Sequence, residues 1–263
     1  MYEVAQLSYI NMGGFMMEEL YDMIFKRKSV RKFNEELFVS GEEMEAIKKK
    51  IENLIPLDKD IRVKFRIAKR TETTSKRGEY CLLMYSERKS SYLLNAGYML
   101  EQMDLFFASQ DIGACWYALA KTTELKYDGL DYVIMMAFGK GRSEHFRKDL
   151  FKCNRKDSKT IWNGEFNQGV ADVVRYAPSA CNTQPWRVVS DNNCIKVYRN
   201  TLIKSFIPAN KLPYYNSIDM GIFLCFLEIA LKHNNYTFSR TLSIEQNSNE
   251  ENIEIAAYNI NTV

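Results

Sequence analysis

Residues 177–186 read APSACNTQPW, which places two prolines, a serine, two carboxamides and a tryptophan within ten positions. Proline fixes φ and removes a backbone donor, so neither a regular helix nor a regular strand accommodates this composition. Ser179, Asn182 and Gln184 supply side-chain donors and acceptors along the stretch. The stretch therefore predicts a rigid, non-repetitive turn that can grip a polar, planar ligand.

A basic segment far upstream, residues 26–33, reads KRKSVRKF and follows apolar residues at helical spacing. Most such runs are solvated helix ends, because cations near a helix C-terminus are favoured by the macrodipole. The alternative is that the cations face one anion, for which Arg offers a planar fork, Lys a point charge and Ser29 a hydroxyl donor. The run alone leaves both interpretations open.

The stretch at 177–186 resembles the flavin-site loop of the nitroreductase family of FMN-dependent oxidoreductases. The order RKSxR at 27–31 is similar to the phosphate-binding motif of that family, and the resemblance extends over residues 17–240. It implies FMN as cofactor, held at its phosphate, ribityl chain and polar ring edge by the basic motif and gripped by the proline loop. The residues so implied are Arg27, Lys28, Ser29, Arg31, Pro178, Ser179, Ala180, Asn182 and Gln184.

The same resemblance implies two further contacts with the cofactor. A basic residue after the last strand of the first half reaches the phosphate, and Arg147 and Arg142 are both candidates. A backbone N–H donates to flavin N5, and that donor falls near Ala118 or Leu119. The resemblance implies no catalytic side chain, because the flavin itself carries hydride from NAD(P)H to a nitroaromatic, quinone or similar small acceptor.

Two apolar segments, residues 95–108 and 219–232, form an internal repeat in which Gly97 aligns with Gly221 and Asp104 with Glu228. Each segment is apolar almost all round, which is typical of a buried helix. Alternating apolar segments nearby predict strands at 61–68, 80–85, 186–189 and 194–198. Residues 132–139 are apolar throughout and predict a central strand. The pattern favours an α+β fold, with antiparallel-rich sheets packed with helices and a duplicated half.

The two family-like motifs are divided between the two halves of the chain. In the family, the basic motif and the proline loop that meet at one flavin come from different subunits of a homodimer. Here the first half has only NLIPL at 53–57 in place of the proline loop, and the second half has no basic motif. The resemblance therefore implies two fused half-repeats forming a pseudo-dimer with one FMN, and a monomer is the simplest expectation.

The expected organisation along the chain has four parts. They are an N-terminal tail at residues 1–16, a first nitroreductase-like half at 17–150, a linker at 151–165 and a second half at 166–263.

Composition restricts the class of protein. The 263 residues are 46% hydrophobic and carry a net charge of +3, which gives no signature of nucleic-acid binding. The six cysteines and two histidines show no zinc or iron–sulfur spacing. No secretory signal is recognised, and the longest nearly apolar stretch, residues 220–231, is shorter than a membrane span. We therefore expect a cytoplasmic protein with free thiols and no metal or membrane partner.

Three functions compete on these observations. The first is an FMN-dependent NAD(P)H oxidoreductase, and the second is a non-catalytic flavin- or ligand-binding protein on the same fold. The third is an interaction protein whose basic segment, residues 140–159, binds an acidic partner. The near-neutral total charge and the pair of motifs disfavour the third. The first two differ in whether NAD(P)H reduces the flavin, and hydride transfer requires no particular side chain.

Overall fold

A computed structural model of the protein describes residues 19–34, 36–150, 153–165, 167–191, 193–243 and 250–262. The expected N-terminal tail, residues 1–16, lies outside them. Within the described residues the helices are α1 (Tyr21–Lys26), α2 (Gly41–Glu52), α3 (Tyr92–Ser109), α4 (Ser158–Ile161), α5 (Gln168–Val174) and α6 (Leu212–His233). The three longer helices are α2, α3 and α6, with 12, 18 and 22 residues.

The first sheet is antiparallel, with the strand order β1-β2-β5-β3 and β4 paired to β5. Its strands are β1 (Val63–Lys69), β2 (Tyr80–Ser86), β3 (Ile112–Trp116), β4 (Lys126–Tyr127) and β5 (Leu130–Lys140). The segments at 80–85 and 132–139 form the buried strands β2 and β5, and the continuous apolar sequence of 132–139 correctly predicted a central strand.

The second sheet has the order β6-β7-β8-β10-β9. Its strands are β6 (Trp162–Gly164), β7 (Trp186–Ser190), β8 (Cys194–Asn200), β9 (Tyr236–Leu242) and β10 (Asn252–Thr262). Only the short β6–β7 pair is parallel among the described pairings. The sequence therefore predicted the class of fold correctly, a mixture of helices with largely antiparallel sheets.

Helices α3 and α6, which contain the two similar apolar segments at 95–108 and 219–232, pack directly against each other between the sheets. A Cβ atom added at Gly97 would lie 2.0 Å from the Ile218 carbonyl oxygen, and one at Gly221 would lie 2.0 Å from the Leu94 carbonyl oxygen. Each glycine therefore faces the backbone of the other helix, and only a residue without Cβ permits the two backbones to approach so closely.

Helix α6 is longer than the nearly apolar stretch at 220–231 that it contains. With 22 residues it is long and apolar enough to cross a membrane, because the helix also includes residues 212–219. Its most apolar window is 83% buried inside the protein. Packing in the core of this fold accounts for its apolar composition, and one such buried helix is weak evidence for a membrane span.

A buried polar network ties α3 to α6 and the second sheet. The carboxylate of Glu228 on α6 accepts hydrogen bonds from the hydroxyls of Tyr98, at 2.7 Å, and Tyr258, at 2.9 Å, and pairs with Arg240. Arg240 also donates to the carbonyl oxygen of Leu57 at 2.7 Å. Burial raises the pKa of both tyrosines well above the usual range, so both hydroxyls remain donors.

Candidate functional site

The basic motif is held against the edge of the first sheet. Arg27 ends helix α1, and the chain continues extended from there. Ser29 pairs with Ala114 on β3, and the Val30 N–H donates to the Ala114 carbonyl oxygen at 2.8 Å. This pairing fixes the backbone position of the basic motif relative to β3. The side chains of Lys28 and Arg31 are exposed.

Arg27 is buried, with 2% of its surface exposed, and its guanidinium meets carboxyl groups of helix α3. Its Nε lies 3.0 Å from Asp104 Oδ2 and 3.9 Å from Glu101 Oε1, and its Nη2 donates to Ser29 Oγ at 3.3 Å. Trp116 Nε1 also donates to Asp104, at 3.3 Å. Arg27 therefore neutralises a buried carboxylate, a structural role that the sequence did not indicate.

Two more guanidinium groups lie near Arg27. Arg147 is anchored by its backbone N–H, which donates to the Lys26 carbonyl oxygen at 2.9 Å. Burial, together with the nearby Arg27 and Arg147 cations, lowers the pKa of Arg155 to about 10, and burial likewise lowers the pKa of Arg147. We call Arg27, Arg147 and Arg155 the arginine cluster. Arg142, the other sequence candidate, is exposed.

The arginine cluster carries more positive charge than its surroundings neutralise. Burial, followed by the adjacent Asp104 carboxylate, raises the pKa of Glu101 well above its usual range and favours its neutral form. Arg147 Nη1 and Arg155 Nε are buried and have no hydrogen-bond partner among the described residues. Buried cationic donors without partners are costly, so the cluster fits an anion such as a phosphate.

Arg155 connects this cluster with the proline loop. Its Nη1 donates to Asn182 Oδ1 at 2.9 Å, and its Nη2 donates to the Tyr176 carbonyl oxygen at 3.4 Å. The fold thus brings Arg27, Arg147 and Asn182 to one place through Arg155. Arg155 is not among the residues predicted from the sequence, although it lies in the same basic segment, 140–159, as the two candidates Arg142 and Arg147.

The proline loop is the non-repetitive turn that its composition predicts. Residues 180–182 form a short 3-10 turn, and Cys181, Asn182 and Gln184 have φ values of 49°, 56° and 49°. Asn tolerates this left-handed conformation, but Cys and Gln adopt it only where surrounding contacts hold the backbone. The loop is therefore a strained, well-defined surface.

Hydrogen bonds within the loop, with helix α6 and with Lys156 hold that strained backbone. Ser179 Oγ accepts from the Gln184 N–H at 2.9 Å, and Asp219 Oδ1 on α6 accepts from the Ala180 N–H at 2.9 Å. The buried Gln184 side chain accepts from the Lys156 N–H at 2.7 Å. Burial raises the pKa of Asp219 to about 8. Pro178 precedes this hydrogen-bonded part of the loop.

The two residues expected near flavin N5 lie in the turn that follows β3. Leu119 is 85% exposed, and Ala118 is exposed as well. Their backbone N–H groups have no acceptor among the described residues, whereas the Tyr117 N–H donates to the Met135 carbonyl oxygen at 3.0 Å. Both N–H groups are therefore available to a ligand.

Metal chemistry has no candidate centre in the part of the chain that the structure describes. No group of three or more His, Cys, Asp or Glu side chains there could hold a metal ion. The six cysteines are free thiols.

Comparisons with known proteins give a consistent result. A family model described as "Putative TM nitroreductase" matches residues 19–231. The crystal structure of a protein described as a putative nitroreductase from Thermotoga maritima superposes with a TM-score of 0.59 at 19% sequence identity, and the match covers 91% of this chain and 92% of that chain. At that identity the structural match shows the fold alone. A search of the curated proteins found no significant match.

Proposed function

The chain belongs to the TM nitroreductase family and is therefore an oxidoreductase, and we propose that it is an FMN-dependent one. In this proposal it transfers hydride from NAD(P)H to a nitroaromatic, a quinone or a similar small acceptor. The observation that carries the proposal is the arginine cluster, which holds unpartnered buried cationic donors beside the proline loop.

The cluster would hold the phosphate of FMN. Arg147 and Arg155 offer their unpartnered nitrogens to it, and Ser29 offers its hydroxyl. Arg27 adds positive potential while it neutralises Asp104. An anion here would offset the repulsion among the three guanidinium groups, which supports a phosphate as the ligand.

The remaining site residues would position the ring. When bound, FMN supplies the chemistry of hydride uptake and hydride donation. The free N–H of Ala118 or Leu119 would donate a hydrogen bond to N5, and Lys28 or Arg31 would place positive charge at the polar ring edge, where it would stabilise the reduced, anionic flavin. The proline loop, with Pro178, Ser179, Ala180, Asn182 and Gln184, forms the wall contributed by the second half.

We also propose that the chain is a pseudo-dimer with one site, composed of a first half at 17–150, a linker at 151–165 and a second half at 166–263. The reciprocal contacts of Gly97 and Gly221 support the duplication. At the repeat position of Asp104, Glu228 pairs with Arg240 from its own half and with two tyrosine hydroxyls. Protein side chains therefore fill the place where a second basic motif would reach, which supports one flavin per chain.

Flavin stoichiometry tests the proposal most directly. The protein is saturated with FMN, freed of excess, and the flavin released per chain is quantified, with riboflavin as the phosphate-free control. One FMN per chain and weaker retention of riboflavin are expected. No bound FMN would contradict the proposal, and two per chain would contradict the single site.

Reduction of the bound flavin then tests turnover. Anaerobic addition of NADH or NADPH is expected to bleach the flavin absorbance, and a nitroaromatic or quinone should restore it. Bound flavin that neither nucleotide reduces would instead favour the non-catalytic flavin-binding protein.

A further inference from the structure

A cavity of about 780 Å³ lies beside the first sheet, where the segment after the basic motif meets the β1–β2 connection and the end of β5. Its volume is in the range of small-molecule sites. We call it the basic cavity, because seven of its lining residues are cations, namely Arg31, Lys32, Lys69, Arg70, Lys76, Arg77 and Lys140.

The positive charge of the basic cavity is mostly unneutralised. Glu79 is the acid in its lining, and its carboxylate is already engaged by the Val39 N–H at 2.8 Å. Lys140, one of these cations, pairs with Glu43 at 2.5 Å. By contrast, Arg31, Lys32, Arg70 and Lys76 form no ion pair with any residue that the structure describes. A ligand with several negative charges suits this surface.

The cavity also offers aromatic and apolar surface. Phe33 and Tyr80 line it, and Leu37 and Phe38 line it while remaining 52% and 68% exposed. Aromatic rings beside cations match a ligand that combines a planar base with phosphate groups, since bases stack on aromatic side chains and phosphates pair with Arg and Lys. A nucleotide has this chemistry.

The basic cavity adjoins the proposed ring site. Arg77, which lines it, places its guanidinium 4.6 Å from the ring centre of Tyr117, the residue before Ala118. Arg77 Nη1 also donates to Cys115 Sγ on β3 at 3.4 Å. Arg31 belongs both to the cavity and to the motif assigned to the flavin. A ligand in the cavity could therefore extend toward the turn that carries the N5 donor.

We propose that the basic cavity binds the adenosine 2′-phosphate end of NADPH and makes NADPH the preferred electron donor over NADH. The inference rests on the proposed function, because a nicotinamide donor matters only if the chain reduces a flavin. The 2′-phosphate is the group that distinguishes NADPH from NADH, and Arg70 and Lys76 are two cations of the cavity without a described partner and outside the flavin motif.

Titration calorimetry of the FMN-saturated full chain with adenosine 2′,5′-bisphosphate tests the proposal without turnover. The bisphosphate is expected to bind about tenfold more tightly than adenosine 5′-monophosphate, the difference that one additional ion-paired phosphate makes. The double variant Arg70→Ala/Lys76→Ala should weaken bisphosphate binding by about tenfold or more. The matched control Lys196→Ala/Lys204→Ala, which removes the same charge from exposed positions of the second half, should leave it unchanged.

Three outcomes would overturn the inference. The first is that the wild-type chain does not bind the bisphosphate. The second is an equal loss of bisphosphate affinity in both double variants. The third is that inorganic phosphate competes for the cavity as strongly as the bisphosphate does. In kinetics, the ratio of kcat/KM for NADPH to that for NADH should fall about tenfold in Arg70→Ala/Lys76→Ala. An unchanged ratio would also contradict it.

Flavin content, measured on the same samples, separates this inference from the proposed function. Retained FMN without bisphosphate binding contradicts only the cavity assignment. Bisphosphate binding by a chain that retains no FMN contradicts the proposed function instead.

Discussion

Arg155 joins the two motifs of the chain, because it lies beside the basic motif and donates to Asn182 of the proline loop. It combines a partly unsatisfied buried guanidinium with a hydrogen bond to the proline loop and a position near the Arg27 cation. At the scale of single residues, the proposed phosphate site therefore depends on Arg155 as much as on the arginines of the sequence motif.

Replacing Arg155 by alanine should weaken FMN binding. The lost charge-assisted hydrogen bond costs about 1.5–3 kcal/mol, which is roughly a tenfold to hundredfold change in Kd. Fluorescence titration with FMN measures the change, and riboflavin should bind the variant and the wild type equally. The control is Arg142→Ala, at an exposed arginine of the same segment. Unchanged FMN affinity in Arg155→Ala would remove this residue from the phosphate site.

Replacing Arg27 by alanine should destabilise the protein even without flavin. The variant leaves Asp104 buried without its cation, and breaking a buried pair in this way costs about 3–5 kcal/mol of unfolding free energy. Urea unfolding of the flavin-free protein measures the loss. The double variant Arg27→Ala/Asp104→Asn should recover part of it, since the uncompensated charge is gone. Full stability of Arg27→Ala alone would show that the pair is dispensable.

At the scale of elements, helices α3 and α6 carry both the fold and the supports of the site. They approach through Gly97 and Gly221, α3 supplies the carboxyls that face Arg27, and α6 supplies Asp219 beneath the proline loop. A change in how the two helices pack would therefore also shift the walls of the proposed flavin site.

Gly97→Ala should force the two helices apart. The added methyl group would lie 2.0 Å from a backbone carbonyl oxygen that cannot rotate away, so we expect a loss of at least about 1–3 kcal/mol in unfolding free energy. Gly41→Ala is the matched control, because no atom lies within 4 Å of the added Cβ at that position in α2. Equal unfolding midpoints for both variants would contradict the close helix contact.

Asp219 should make the stability of the protein depend on pH. Burial raises its pKa from 3.8 to about 8, so the folded protein retains a proton that the unfolded chain releases above pH 4. Its contribution is therefore fully present below about pH 4 and is lost as pH rises toward 8. Asp219→Asn should gain stability relative to the wild type over this interval, measured by urea unfolding at several pH values. A constant difference between the two proteins would show that Asp219 does not titrate there.

At the scale of the whole molecule, both motifs of the proposed site lie in one chain. The arginine cluster and the proline loop already contact each other through Arg155, so no second subunit is needed to bring them together. The proposed assembly is a monomer that holds one flavin.

Sedimentation of the FMN-loaded protein should therefore give a mass near the 30.7 kDa of one chain. Flavin absorbance should move with that species, at one FMN per chain. The flavin-free sample is the control and should sediment with the same mass. A dimer that forms only when FMN is present would contradict the completeness of the site within one chain.

Local sequence patterns were sufficient for much of the fold. The near-continuous apolar residues at 95–108 and 219–232 predicted two buried helices, and the mixture of prolines and carboxamides at 177–186 predicted an irregular turn. The length of helix α6 was underestimated, because a count of consecutive apolar residues misses the polar first turns of a buried helix. The family resemblance was confirmed by the match over residues 19–231.

The sequence by itself determined the two long buried helices, five of the strands, the irregular turn at 177–186 and the family to which the chain belongs, because periodicity and short motifs are local properties. Only the tertiary structure decided which charges meet. Arg27 pairs with Asp104, Arg155 reaches Asn182, and the cations of the β1–β2 connection gather with those that follow the basic motif. These contacts join residues far apart along the chain, and burial sets their charge balance, so neither spacing nor composition could specify them.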